Sequence, residues 1–137
     1  MPDIALVLVD DDDLYREVLS ADLADRGFAV SCFADGPSFL EAFGNGIEAQ
    51  VALFDWVLPE MSGFELLIAL RDRGIELPVV FLTGHPQVEL ELQARAPGAV
   101  DFVDKARGVE VLAHRLRMVI ESQRTSSVAA RQRIQTP

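Results

Sequence analysis

The sequence is poor in cysteine, in lysine and in long apolar segments. A single cysteine, Cys32, excludes an internal disulfide and a cysteine-based metal cluster, as is typical of proteins in a reducing compartment. We expect Cys32 to be a small core residue. No apolar run approaches the roughly 18 residues that a membrane-spanning helix requires, and no signal-peptide pattern precedes the first run. We therefore expect a soluble, cytoplasmic protein that makes no contact with a membrane.

Basic residues are also few, and they are unevenly placed. The net charge of −10 argues against nucleic-acid binding by most of the chain. Residues 122–137 contain three arginines and no acid, so they carry +3 and residues 1–121 carry about −13. The segment 122–137 has no core-facing apolar pattern. We interpret it as a polar linker or tail that follows one folded domain, residues 1–121.

Apolar runs alternate with helical patterns along this domain. Half of the residues are hydrophobic, which is enough for a substantial core. The alternation predicts an α/β fold, with five parallel strands and helices on both faces of the sheet. The predicted strands are 4–9, 28–33, 51–54, 77–82 and 99–103. The predicted helices are 12–26 with Asp12 or Asp13 as cap, 37–43, 64–73, 87–96 and 109–121. The first should face the core with Val18, Leu19 and Leu23. The last should do so with Val109, Leu112, Leu116, Val119 and Ile120.

Chemically active side chains follow four of the predicted strands. The first strand is followed by Asp10–Asp13, the third by Asp55, the fourth by Thr83, and the fifth by Asp104 and Lys105. Functional groups of an open parallel sheet gather beyond the carboxyl ends of its strands. We therefore expect carboxylates, a hydroxyl and an ammonium to meet in one crevice.

This combination of side chains predicts Mg²⁺ binding and phosphoryl transfer. Crowded carboxylates repel each other, and Mg²⁺ prefers oxygen ligands, which Asp10 and Asp11 are placed to supply. Asp55 is then free to act as a nucleophile. Thr83 and Lys105 can contact the oxygens of an incoming phosphoryl group. Lys105 is the single lysine among twelve basic residues, which suggests that a compact positive charge is needed there.

Four blocks of the sequence resemble the signature blocks of response-regulator receiver domains from bacterial two-component systems. They are residues 9–11 (VDD), 55–63 (DWVLPEMSG), 77–84 (LPVVFLTG) and 101–105 (DFVDK), in the order and spacing of that family. The resemblance covers residues 4–121. It implies a doubly wound, flavodoxin-like sheet of strand order 2-1-3-4-5. It also implies a histidine kinase as phosphodonor, and an output that is most often transcription.

The resemblance assigns the metal and phosphate roles residue by residue. Asp55 matches the aspartate that is phosphorylated. Asp11 matches the carboxylate that binds Mg²⁺ directly, and Asp10 its neighbour, which acts through a water. Asp55 and the backbone carbonyl of Val57 complete the implied metal ligands. Lys105 matches the lysine that contacts the phosphate.

Two further residues match the conformational switch of the family. Thr83 matches the hydroxyl that moves towards the acyl phosphate, and Phe102 the aromatic side chain whose rotamer follows it. The resemblance implies that this switch changes the face formed by the predicted helix 87–96, the strand 99–103 and the helix 109–121. That face is also the expected surface for a homodimer.

The sequence departs from the family after Lys105. Receivers usually have a proline there, with a cis peptide before it, whereas Ala106 follows in this chain. A cis peptide before a residue other than proline costs about 3–4 kcal/mol. Either that strain is tolerated, or the loop 105–108 is built differently.

The output of the protein stays open at this point. Residues 101–116 also resemble the subset of regulators that carry a winged-helix DNA-binding domain. DNA would then be bound only through an effector domain C-terminal to this chain. A stand-alone receiver that acts by protein contact is the alternative.

Two other functions fit the predicted fold less well. An aspartate-nucleophile phosphatase resembles a pattern with a second aspartate two positions after the nucleophile, where this chain has Val57. A nucleotide or flavin binder needs a phosphate-binding loop after the first strand, where Asp10–Asp13 would repel phosphate. We therefore interpret the chain as a signalling receiver rather than an enzyme, which promotes only its own phosphoryl transfer and dephosphorylation.

Overall fold

The computed structural model describes residues 3–84 and 101–135, with side chains described as far as residue 123. The elements in chain order are β1 (Ile4–Val9), α1 (Asp13–Ala24), β2 (Phe28–Phe33), α2 (Gly36–Gly44), β3 (Val51–Asp55), α3 (Gly63–Asp72), β4 (Val79–Thr83), β5 (Asp101–Asp104) and the last helix (Val109–Gln135). The predicted helix 87–96 and the start of the predicted fifth strand lie outside the described residues. No helix within the described ranges is long and apolar enough to cross a bilayer.

The five strands form one parallel sheet in the order β2-β1-β3-β4-β5. The predicted fold class and strand order are therefore confirmed. The register pairs Val9, the last residue of β1, with Phe54, which directly precedes Asp55 at the end of β3. It also pairs Thr83 with Asp104 at the ends of β4 and β5. The residues that follow these strands consequently meet at one edge of the sheet.

A hydrophobic core lies on each face of the sheet. Successive side chains of a strand point to opposite faces, so Leu6 and Leu8 of β1 belong to one core and Val7 and Val9 to the other. The first core is closed by α1 and the last helix, and the second by α2 and α3. Helices on both faces give the three-layer arrangement that the sequence pattern predicts.

The start of α1 differs in detail from the prediction. Asp12 is the cap, and its side chain accepts a hydrogen bond from the backbone N–H of Tyr15. Asp13, which was the other candidate, forms an ion pair with Arg16 instead. Val18 was expected to face the core and is 52% exposed. The residues that face the core are Tyr15, Leu19 and Leu23, at intervals of four residues. Val18 directly precedes Leu19 in the chain, so its side chain points away from this row.

The expectation for Cys32 is wrong, because this residue is exposed. Cys32 lies near the end of β2, which is the edge strand of the sheet. An edge strand has a neighbouring strand on one side only, so its side chains are covered less well than those of β1 or β3. The apolar pattern of the strand does not reveal this position at the edge.

The last helix continues to Gln135, beyond the predicted end at residue 121. Its core-facing residues are as predicted, with Leu112, Leu116, Val119 and Ile120 buried. The segment after residue 121 contains neither glycine nor proline before Pro137, so no residue there interrupts the backbone hydrogen bonds of a helix. The interpretation of residues 122–137 as a linker or tail stays a prediction.

Candidate functional site

Three carboxylates and one ammonium group meet beyond the ends of β1, β3 and β5. Carboxylate oxygens of Asp10, Asp11 and Asp55 all lie within 4.8 Å of one another. The Nζ atom of Lys105 lies 3.0 Å from Oδ2 of Asp10 and 3.3 Å from Oδ2 of Asp55. The structure thus brings four of the predicted site residues together.

The turn after β1 separates the roles of its first two aspartates. Asp10 is fully buried, and its Oδ1 accepts a hydrogen bond of 2.9 Å from the backbone N–H of Asp12. Asp11 is exposed. Asp12 in turn caps α1. The beginning of this helix therefore holds the Asp10 carboxylate inward, while Asp11 stays open to solvent at the mouth of the site.

Asp55 is the last residue of β3 and is 7% exposed. Its Oδ1 accepts a hydrogen bond of 3.3 Å from the backbone N–H of Val57. The loop after β3 then comes back to the end of that strand, and the N–H of Gly63 donates a hydrogen bond to the carbonyl of Trp56. A Cβ atom at Gly63 would lie 2.4 Å from the carbonyl oxygen of Asp55. Only a glycine fits this approach, although the sequence pattern alone does not mark Gly63 as a site residue.

Burial and neighbouring charge act on Asp55 and Lys105 in opposite ways. Burial raises the pKa of Asp55, and the charge of Asp10 adds to this, against the opposing effects of Lys105 and the Val57 N–H. Burial by itself lowers the pKa of Lys105, but the hydrogen bond to Asp10 and the two carboxylate charges outweigh it and raise that pKa. Lys105 therefore remains an ammonium ion at neutral pH, whereas the Asp55 anion is disfavoured by its surroundings.

The donor set of this site fits a hard divalent cation. Asp10, Asp11 and Asp55 offer oxygen ligands, which are the ligands that Mg²⁺ selects. Three carboxylates face the one ammonium group of Lys105, so a second positive charge would reduce their repulsion. The side chain of Val57 is 72% exposed, and its carbonyl oxygen remains a predicted ligand.

Thr83 and Phe102 lie on the neighbouring strands β4 and β5. Thr83 is the last residue of β4 and is buried. Phe102 is half-buried, and its ring packs against Phe81 and Trp56 at centroid distances of 5.8 and 5.6 Å. Trp56 is partly buried, and its contact with Phe102 joins the segment after Asp55 to β5. The roles of Thr83 and Phe102 in a switch stay predictions.

The loop after Lys105 has Ala106 where the resemblance predicts a proline. Lys105–Arg107 form one turn of 3₁₀ helix, and the side chain of Asp104 accepts a hydrogen bond from the N–H of Ala106. Gly108 ends this turn with a φ of 87°. Residues 3–84 and 101–135 contain no cis peptide bond. Of the two alternatives for this loop, the structure shows the different construction.

Tyr15 is a site neighbour for which the sequence pattern provides no clear signal. Its ring centroid lies 4.4 Å from Nζ of Lys105. The contact joins α1 to the loop after β5, and these segments are far apart in the chain. Only the observation that Tyr15 is the chain's sole tyrosine could have drawn attention to it.

The family follows from a comparison with known protein families. The model of the response regulator receiver domain matches residues 6–117 of this chain. The chain belongs to the response regulator receiver family. The five-stranded parallel sheet of this receiver, with its strand order β2-β1-β3-β4-β5, agrees with that assignment.

Two curated relatives show the level of similarity. The receiver is 38% identical over 105 residues to the transcriptional regulatory protein FixJ of Rhizobium meliloti, which covers 77% of this chain and 51% of FixJ. It is 30% identical over 116 residues to the response regulator protein TmoT of Ectopseudomonas mendocina, which covers 85% of this chain and 52% of TmoT. The receiver thus spans about half the length of these relatives.

Solved structures show the same fold. The crystal structure of FixJ-N superposes with a TM-score of 0.79 at 35% identity, covering 88% of this chain and 96% of that one. Full-length FixJ from B. japonicum gives a TM-score of 0.80 at 30% identity, covering 96% of this chain and 63% of that one. Both structures therefore share the fold of this receiver over most of its length.

Proposed function

We propose that this receiver accepts a phosphoryl group on Asp55 from a histidine kinase, and that the resulting conformational change controls an output. The observation that carries the proposal is the position of Lys105. Its ammonium group contacts both Asp10 and Asp55, at the open end of the sheet. A phosphoryl group bound to Asp55 would lie within reach of the same cation.

The chemistry needs a nucleophile, charge neutralisation and a leaving group. A carboxylate oxygen of Asp55 forms the new bond to phosphorus, while the bond between phosphorus and the kinase imidazole nitrogen breaks. Asp10, Asp11, Asp55 and the carbonyl of Val57 would hold Mg²⁺. When bound, Mg²⁺ supplies positive charge that offsets the carboxylates and the phosphoryl oxygens.

The remaining side chains of the site act on the phosphorylated state. Lys105 provides an ammonium group for the phosphoryl oxygens, and Thr83 provides a hydroxyl donor from the end of β4. Movement of Thr83 leaves space near β5, and the half-buried Phe102 ring can follow it. The two strands thereby transmit the change to β5 and the last helix, which are the described part of the surface predicted for a homodimer.

Transcription is the output that the relatives favour. FixJ is named as a transcriptional regulatory protein, and the receiver covers only half of it. We propose that a C-terminal effector domain binds DNA in the whole protein, which acts in the cytoplasm. The resemblance of residues 101–116 to winged-helix regulators suggests that this effector domain is a winged helix. A stand-alone receiver that acts through protein contacts is the alternative output.

The proposal describes a switch rather than a phosphatase with turnover on small substrates. The side chain of Val57 is apolar and cannot transfer a proton, which an aspartate-nucleophile phosphatase needs at that position. The receiver would therefore promote only its own phosphoryl transfer and dephosphorylation. Steady release of phosphate from small phosphoesters would contradict this part of the proposal.

Labelling with acetyl phosphate and Mg²⁺ tests the acceptor. Wild type should gain one phosphoryl group, detected by intact mass, and Asp55→Asn should gain none. Asp13→Asn is the matched control, because it removes an acidic side chain that is paired with Arg16 outside the cluster. Labelling of Asp55→Asn at the wild-type rate would reject Asp55 as the acceptor.

A further inference from the structure

The ammonium group of Lys105 has a third contact besides the two carboxylates. Nζ lies over the ring of Tyr15, 4.4 Å from its centroid. This distance is within the range in which the negative face of an aromatic ring attracts a cation. Asp10, Asp55 and the Tyr15 ring thus approach the same nitrogen atom, each from a different segment of the chain.

The Tyr15 ring is itself held in place. Tyr15 lies in the first turn of α1, and its backbone N–H donates to the capping side chain of Asp12 over 3.0 Å. The ring is half-buried and packs against the core under α1. Together with Lys105, Leu19 and Val103, it lines a cavity of about 140 Å³. The ring is therefore a rather rigid surface beside a long, flexible side chain.

The hydrogen bond between Asp104 and the N–H of Ala106 holds the backbone of the loop, but it does not hold the far end of the Lys105 side chain. The turn from Lys105 to Arg107 is short, and Ala106 occupies the position after the lysine. A lysine side chain has four rotatable bonds and loses considerable conformational freedom when it is fixed in one position. In this receiver the ring lies where it can restrict the ammonium group to the side of the carboxylates.

We propose that Tyr15 is a positioning residue, which holds the Lys105 ammonium between Asp10 and Asp55, where it meets the incoming phosphoryl oxygens. This inference rests on the proposed function, and it adds a residue of α1 to the reaction. Tyr15 does not contact the phosphoryl group in this scheme. It acts through Lys105.

The contact itself can be tested without any phosphorylation. Lys105 is the only lysine of the chain, so selective ¹³C labelling of lysine gives a single set of side-chain NMR signals. The ring current of Tyr15 should shift the ε-methylene proton signals upfield in wild type and in Tyr15→Phe. In Tyr15→Leu this shift should be lost. An unchanged signal in Tyr15→Leu would overturn the proposal.

The functional consequence is tested by binding and labelling. Tyr15→Leu should weaken beryllofluoride binding, followed by Trp56 emission, and raise the half-saturating acetyl phosphate concentration, each by about three- to tenfold. Its Mg²⁺ affinity should stay at the wild-type value, and Tyr15→Phe should restore both phosphate-related values. Equal weakening of Mg²⁺ and beryllofluoride binding would indicate general damage to α1 and overturn the positioning role.

A double-mutant comparison decides whether Tyr15 acts through Lys105. In a Lys105→Met background, Tyr15→Leu should have no further effect on labelling. Independent, multiplying effects of the two substitutions would overturn the proposal. Failure of the proposed function has a different signature, because wild type itself would then remain unlabelled while the ring-current shift is still present.

Discussion

The ammonium nitrogen of Lys105 lies 3.0 Å from Oδ2 of Asp10, although the two residues are 95 positions apart in the chain. Asp10 is fully buried, and the Lys105 side chain is 24% exposed. A buried carboxylate is costly unless it is paired and hydrogen-bonded. This ion pair therefore joins the end of β1 to the loop after β5 and neutralises a charge at the centre of the site.

Removal of the lysine charge should destabilise the receiver. Lys105→Met should lower the free energy of unfolding by roughly 2 kcal/mol at pH 7, since the partial exposure of Lys105 reduces the larger cost known for fully buried pairs. Added Mg²⁺ should narrow the difference, because a cation can replace the lost charge. Urea unfolding with and without Mg²⁺ measures both effects. Lys105→Arg, which keeps the charge, is the control, and a Mg²⁺-independent difference would count against a metal in this cluster.

Neutralisation of Asp55 should have the opposite effect. Its pKa is raised by burial and by Asp10 above the usual 3.8. The folded chain thus binds the proton of the Asp55 carboxyl group more tightly than the unfolded chain does. Ionisation of Asp55 therefore lowers the free energy of unfolding as the pH rises through and above 3.8. Asp55→Asn should therefore increase the unfolding free energy at pH 7 without Mg²⁺, and the gain should vanish at low pH. Equal or lower stability of the variant at neutral pH would contradict this prediction.

The close approach of Gly63 to Asp55 predicts a strong effect of one methyl group. A Cβ atom there would lie 2.4 Å from the Asp55 carbonyl oxygen, so Gly63→Ala must displace the end of β3 or the start of α3. We expect a loss of about 1–3 kcal/mol in stability, together with slower labelling of Asp55. Gly44→Ala is the matched control, because nothing lies within 4 Å of its added Cβ atom. Similar thermal unfolding temperatures for both variants would show that the loop after β3 adapts.

The cap of α2 predicts a pH dependence of stability outside the site. The N–H of Ser38 donates to the Asp35 side chain, and this hydrogen bond lowers the pKa of Asp35 below its usual 3.8. Its contribution is present above that value and is lost as the pH falls through the lowered pKa. Asp35→Ala should cost about 1 kcal/mol at pH 7 and less in acid. Asp35→Asn keeps a capping oxygen and should lie near wild type at pH 7, and a pH-independent cost of Asp35→Ala in urea unfolding would reject the mechanism.

The side chain of Val57 predicts a long-lived phosphorylated state. It follows Asp55 by two positions and is 72% exposed, but it can neither donate nor accept a hydrogen bond from an attacking water. The acyl phosphate should therefore persist well beyond seconds, and Val57→Asn should shorten its lifetime several-fold. Loss of ³²P label in buffer measures the lifetime. Decay of the wild-type protein within seconds would disprove this explanation.

Much of the fold and part of the site follow from the amino-acid sequence. Apolar runs separated by helical patterns predict a parallel sheet, and parallel strands place their carboxyl ends at one edge. For that reason Asp10, Asp11, Asp55 and Lys105 could be expected to meet before any coordinates were known. These four side chains meet because of the order of the strands in the sheet and the register between them. The apolar pattern of each strand and the sequence blocks shared with the receiver family indicate both.

Other features depended on the tertiary structure. Cys32 is exposed because β2 is an edge strand. Val18 is exposed because the rotation of α1 about its axis turns Tyr15, rather than Val18, inward beside Leu19. The ring of Tyr15 reaches Lys105 only because α1 packs beside the loop after β5. Contacts between distant segments depend on the angles at which helices pack and on side-chain rotamers. The pattern of apolar and polar residues along the sequence gives no information about either.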